Sequence, residues 1–201
     1  MNKTTAGILR NAQDTLRTAE QGLDDLINGP TARRVAGLRN AVVFGRAVTN
    51  VLENLRHTEP TFDAWYKPKS KALSLDPLMK FFYKLRSEIL KEGSVPVTNI
   101  LSIDNLSLPR DAARVGSPPP GASAFFAGDA AGGLGWIITL PDGSAEKYYV
   151  ELPGDIGRIE TLFVEAPEHE GSRDAAHLIR CYLRRMSGLV QEAVELFGRA
   201  G

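Results

Sequence analysis

Leu9, Ala12, Leu16, Ala19, Leu23 and Leu26 recur at spacings of three and four, which places them on one seam of a first helix. Thr4 or Thr5 can cap its start, and Asn28-Gly29-Pro30 stops it. A second helix runs from Thr31 to Arg56 with two adjacent apolar stripes. Val35, Leu38, Val42, Gly45, Thr49 and Leu52 form one, and Ala41, Phe44, Val48, Val51 and Leu55 form the other. Two stripes need two partners, so this helix is expected at the centre of a bundle, with Gly37, Gly45 and Ala47 admitting close neighbours. Its remaining polar line is thin: Arg39, Arg46, Asn50, Glu53 and His57 fall within about 40° of one another.

Residues 58–75 read as a connector rich in lysines and aromatics, with Thr61 capping a short turn that holds Phe62, Trp65 and Tyr66. Asp76-Pro77 opens a third helix, buried through Leu78, Phe82, Leu85 and Ile89 and stopped by Gly93. The period then changes. Weak alternation over Val95 to Pro109, through Val97, Leu101 and Ile103 and then Leu106 and Leu108, predicts one or two short strands. Residues 116–135 contain six Gly, five Ala and three Pro, a composition that predicts an irregular loop pinned by Phe125 and Phe126. A hairpin follows: Trp136, Ile138 and Leu140 alternate, Pro141-Asp142-Gly143 turns, and Tyr148, Val150 and Leu152 return. Ile159 to Val164 reads as a further strand. Ser172 caps a last helix whose seam is Ala176, Ile179, Leu183, Met186, Val190, Ala193 and Phe197, ended by Gly198.

These elements predict an α+β fold over 1–201 as a single domain. An up-and-down bundle of about four long helices comes from 1–93 and 172–198, and residues 94–171 form a small antiparallel β-insertion before the last helix. Charge divides along the same boundaries. Residues 1–93 carry 15 basic and 10 acidic side chains and 172–201 carry 5 and 3, against 4 and 11 in 94–171. Either an acidic insertion packs on a basic bundle, or the surfaces are simply segregated. The whole chain balances at 24 basic and 24 acidic, which is unlike a simple nucleic-acid binder. One cysteine, Cys181, excludes an internal disulfide. No signal-peptide core or membrane-length apolar run is present, so the expected location is the cytoplasm, with no membrane partner.

Chemistry is sparse. Gly128 to Gly135 leads into a strand with no Gly-Lys-Ser/Thr, so it is a loop entering a hairpin rather than a phosphate cradle. Glu168-His169-Glu170 with Asp174 and His177 matches no metal-ligand spacing, and neither a metal nor another cofactor is expected. Cys181 sits near Arg180, Arg184 and Arg185, but a nucleophile needs a base and none can be placed from sequence. The polar line on the second helix is the remaining constellation. An Arg and a His at a groove can stabilise and protonate a cleaving phosphodiester, although a solvated face is the commoner explanation.

The segment Phe82-Tyr83-Lys84-Leu85-Arg86-Ser87-Glu88-Ile89-Leu90-Lys91-Glu92-Gly93 resembles the late helix of HEPN-type domains, which often reads Leu-Arg-Asn-x-x-x-His. The layout of long helices with an insertion before the last is similar too. The resemblance implies a dimerising helical bundle, and many members are metal-independent ribonucleases of toxin or defence systems. Here Ser87 stands in place of the polar Asn, and no histidine follows at Leu90, Lys91 or Glu92. The expected function is therefore a non-catalytic HEPN-like binding or interaction module, with homodimer, protein or RNA as possible partners. The alternative is a metal-independent ribonuclease using Arg46, His57 and Arg86 as catalytic residues. A third reading is a small-molecule pocket between bundle and hairpin lined by Trp65, Tyr66 and Trp136.

Overall fold

A computed structural model describes residues 4–104, 111, 114–129, 133–167, 169 and 171–198 of the chain. Helix α1 (Thr5–Asn28) begins where the Thr4 hydroxyl accepts the Gly7 N–H at 3.2 Å. Its buried seam contains Leu9, Ala12, Leu16, Ala19 and Leu26 as the spacing predicts, with Leu23 partly buried. Helix α2 (Thr31–Leu52) folds back against α1 after Gly29 and Pro30. It is α-helical only to Leu52 and tightens into a 3-10 turn (Glu53–His57), so the helix expected to reach Arg56 ends early. Leu38, Ala41, Val42, Gly45, Val48, Thr49 and Leu52 are buried, whereas Val35 and Phe44 lie at the surface, 36% and 38% exposed.

The connector expected over 58–75 is instead mostly helix α3 (Phe62–Leu75), with Pro68 inside it and only Phe62 and Tyr66 buried. Proline removes one internal hydrogen bond, and two buried residues leave no continuous stripe, so neither local signal marks this helix. Five helices are therefore described rather than four. Helix α4 (Pro77–Glu92) starts as predicted: Asp76 Oδ1 accepts the Leu78 and Met79 N–H groups at 2.8 and 3.2 Å. It stops at Gly93, whose φ of 66° is left-handed. Helix α5 (Ala175–Phe197) is capped by Asp174, which accepts the His177 N–H at 2.7 Å. Ser172, the expected cap, instead accepts the N–H of Asp174 at 3.1 Å. An aspartate two residues on is an equally good cap and sits closer to the first helical turn.

Strands β1 (Val97–Ile103) and β5 (Gly157–Phe163) pair antiparallel, Val97 opposite Phe163 and Ile103 opposite Gly157. The second part of the strand prediction, at Leu106 and Leu108, lies outside the described residues. Strands β2 (Ala122–Ala127), β3 (Leu134–Thr139) and β4 (Ala145–Val150) make a three-stranded antiparallel sheet in that order. The hairpin of β3 and β4 agrees with the alternation, but β2 falls where an irregular loop was expected. Small residues give β2 little hydrophobic signal. Its strand conformation comes from pairing with β3, where Phe125 lies opposite Trp136 with ring centroids 5.0 Å apart.

The main core joins the five helices to Phe163 at the end of β5, whose ring meets Phe81 and Phe82 edge-on at 5.1 and 6.0 Å. A smaller cluster of Val115, Leu134 and Ile156 lies among the strands. Between the basic helices and the acidic strands Lys84 reaches Glu165 at 3.5 Å and Arg34 reaches Glu151 at 3.9 Å. Solvent-exposed pairs of this kind contribute about 0–1 kcal/mol each, so Phe163 and not charge carries the docking.

The three-stranded sheet holds one strong polar tie. Asp129 accepts hydrogen bonds from Lys147 Nζ and the Tyr149 hydroxyl at 2.7 Å each, and from the Gly133 N–H at 3.0 Å. Burial opposes its charge, but these donors outweigh it and hold the carboxyl at about 2. A carboxyl lowered in the folded state contributes stability above its unfolded value near 4 and loses it as pH falls through 2. The loss is on the order of 1–2 kcal/mol. Asp129→Asn should flatten the pH dependence of unfolding between about pH 4 and pH 2, read by urea titration across that range. An unchanged slope in the variant would show that Asp129 does not carry it.

Candidate functional site

A cavity of about 330 Å³ opens between α2, α3 and α4. Arg46 and Thr49 come from α2, Tyr66, Ser70, Leu73 and Ser74 from α3, and Met79, Lys80 and Tyr83 from α4, with Met186 from α5 beneath. Its size falls at the lower end of the roughly 300–1,000 Å³ of ordinary small-molecule sites.

Arg46 is fixed by its own helix. One guanidinium nitrogen donates to Thr49 Oγ1 and, at 3.3 Å, to Asn50 Oδ1, and the group lies 5.5 Å from the centre of the Tyr83 ring. Both hydrogen-bond acceptors are neutral, and the ring holds the cation through its quadrupole, so the charge is positioned without being neutralised. Tyr83 is 58% exposed and forms part of the mouth. Tyr66 is buried against Phe62, ring centroids 5.0 Å apart, and its hydroxyl donates to Glu53 Oε1 at 3.2 Å. Burial, reinforced by the Glu53 charge, pushes the phenol up to about 12, so it stays a donor to that carboxylate. The polar line read on the second helix is thus largely occupied: Glu53 serves Tyr66, Asn50 serves Arg46, and Arg39 donates to the Gly93 carbonyl.

Below this layer lies Tyr182 of α5, fully buried and stacked on Phe82 at 4.3 Å. A Cβ on Gly45 would stand 2.5 Å from the Tyr182 ring, so the glycine at this position is what lets α5 approach α2. The Tyr182 hydroxyl and the buried Arg86 Nε both lack a hydrogen-bond partner. Burial pushes the Tyr182 phenol well up, while the positive charges of Arg46 and Arg86 pull the other way. Among the described residues Arg46, Lys80 and Arg86 have no ion-pair partner, although neighbouring Lys84 pairs with Glu88 and Arg185 with Asp76.

Of the three residues singled out by sequence, Arg46 on α2 and Arg86 on α4 both act electrostatically on Tyr182. His57 is exposed at the end of the 3-10 turn. Eleven residues of near-helical chain separate it from Arg46, an axial distance of about 16 Å. Of Trp65, Tyr66 and Trp136, expected around a pocket between bundle and hairpin, Tyr66 lines this cavity. Trp65 packs on Phe197 at 5.5 Å, while the Trp136 indole donates to the Gly116 carbonyl at 3.3 Å within the β region. The residues missed by sequence are Lys80, Tyr83 and Met186, whose grouping depends on how α3 and α4 turn at Asp76.

Cys181 does have a nearby imidazole: its sulfur lies 3.7 Å from His177 Nε2, one helical turn away. The i, i+4 spacing was visible in the sequence, but the thiol is buried. Asp174 of the acidic cluster caps α5, and Glu168 and Glu170 lie outside the described residues. Among the described residues no group of three or more His, Cys, Asp or Glu is arranged to hold a metal ion. No helix among them is long and apolar enough to cross a membrane. No family model, characterised protein or solved structure matches the chain.

Proposed function

We propose that this chain is a non-catalytic HEPN-like module, an up-and-down helical scaffold that works in the cytoplasm by binding. The cavity between α2, α3 and α4 is its binding site. The observation that carries the reading is the state of Arg46: it is held in place by neutral groups and Tyr83, faces a cavity, and keeps its charge unpaired. A fixed, unneutralised cation at a cavity is suited to recognising an anion. A cleavage reaction needs in addition a proton-transfer group within about 3 Å of the reacting atoms, or one water further. His57 stands well along the helix from Arg46, which favours binding over catalysis.

Cleavage of mixed cellular RNA in excess EDTA tests this. The wild-type chain should leave RNA intact, as should Arg86→Ala and His57→Ala. Cutting by the wild type that both substitutions abolish would replace the binding reading with the ribonuclease alternative.

A further inference from the structure

Three observations about the same cavity narrow what it binds, on the reading that it is a binding site. The first is charge. Arg46 and Lys80 both line it, Arg86 lies on the next turns of α4, and none of the three has an ion-pair partner among the described residues. Of the carboxylates on the neighbouring turns, Glu53 is engaged by the Tyr66 hydroxyl and Asp76 by Arg185. Lys80 is exposed to water, but Arg46 and Arg86 are half-buried, where an unpaired cation is stabilised by a nearby anion.

The second is the apolar floor. Leu73 and Met79 supply flexible, apolar surface, with Met186 fully buried behind them, and Tyr83 offers a largely exposed ring at the mouth. Methionine side chains and a tyrosine face together favour a flat, π-rich body over a chain of hydroxyls. The third is the buried Tyr182 hydroxyl, unpartnered and within the field of Arg46. That phenol feels both Arg46 and Arg86, so the positive field of these side chains extends behind Met186, one turn along α5.

The geometry points to a small aromatic anion as the ligand, its carboxylate or phosphate at Arg46 and Lys80 and its ring on Tyr83 and Met79. Length of chain, sugar-like polarity or a neutral ring would not use the cations. The two acidic headgroups share one chemistry here, a compact anion on an aromatic body, and the test separates them.

Calorimetric titration of the full chain with naphthoate and naphthamide, and with phenyl phosphate and phenol, compares each anion with its neutral counterpart. At least one anion should bind ten times more tightly than its neutral partner, and which one does identifies the headgroup. Arg46→Gln and Lys80→Gln should each weaken that anion about tenfold, the expected loss of one charge-assisted hydrogen bond. Arg180→Gln, a cation in the separate groove of Glu20, Leu23 and Arg184 between α1 and α5, should change it less than twofold. Equal binding of anion and neutral partner overturns the inference. So does equal weakening by Arg180→Gln, or the absence of any binding at about 5 mM ligand. These outcomes leave the RNA experiment untouched, so an intact RNA result with no anion binding removes the ligand class alone.

Discussion

Gly37→Val should lower the unfolding midpoint by about 6–12 °C, a loss on the order of 3 kcal/mol in a chain of this size. The reason is the crossing of α1 over α2. A Cβ on Gly37 would stand 2.6 Å from the Gly22 carbonyl oxygen, 2.7 Å from Asp25 Cβ and 2.8 Å from the Leu26 nitrogen. The reciprocal holds at Gly22, where a Cβ would stand 2.6 Å from both Gly37 O and Ala41 N. Most of these neighbours are backbone atoms inside regular helices, so no rotamer change relieves the clash. Helix propensity works in the opposite direction, since replacing a mid-helix glycine gains up to about 1 kcal/mol. The two effects have opposite signs, and contact at 2.6 Å decides between them. A midpoint unchanged or raised in thermal unfolding would mean that the helices do not cross at these glycines.

Phe82→Ala should cost about 3–5 kcal/mol, the range for deleting a fully buried phenylalanine. Phe82 is 0% exposed and joins α4 to two other elements: it stacks on Tyr182 of α5 at 4.3 Å and meets Phe163 of β5 at 6.0 Å, beside its chain neighbour Phe81 at 5.2 Å. Removing it leaves a void that none of these rings can fill without moving, and a void forfeits their dispersion contacts outright. The loss should be largest where the β1–β5 pair docks on α4. Hydrogen exchange should therefore quicken at Val97 to Ile103 in this variant more than in α1. Uniform quickening would show that β5 does not depend on this contact.

How much of this could be read in the sequence follows from where the signals were local. The α1 seam was legible because Leu9, Ala12, Leu16, Ala19 and Leu26 each face the same partners, and three-four spacing records that directly. Asp76-Pro77 and Gly93 marked both ends of α4 because capping depends on adjacent residues. Helix α3 was illegible because Phe62 and Tyr66 alone are buried and Pro68 interrupts the pattern; packing on α4 and α5 overrides both. Strand β2 was illegible for a related reason, its pairing partner lying in β3. At the site, Arg46 was found as an odd polar residue on an apolar helix. Tyr83 and Lys80 looked like ordinary surface residues of α4, and only the corner at Asp76 brings them opposite Arg46. His57 shared the angular position of Arg46 on a helical wheel, which says nothing about distance along the axis.

The central claim is that the cavity under Arg46 is where the protein takes its ligand. Its sequence offers a direct reporter, because two of its three methionines, Met79 and Met186, line that cavity. The measurement is the response of isotope-labelled methionine methyl resonances to the aromatic anion that calorimetry selects. Both Met79 and Met186 should shift in proportion to occupancy, and Arg46→Gln should displace the response to about tenfold higher concentration. Binding of the anion with both of these resonances unmoved would place the ligand elsewhere and contradict the account.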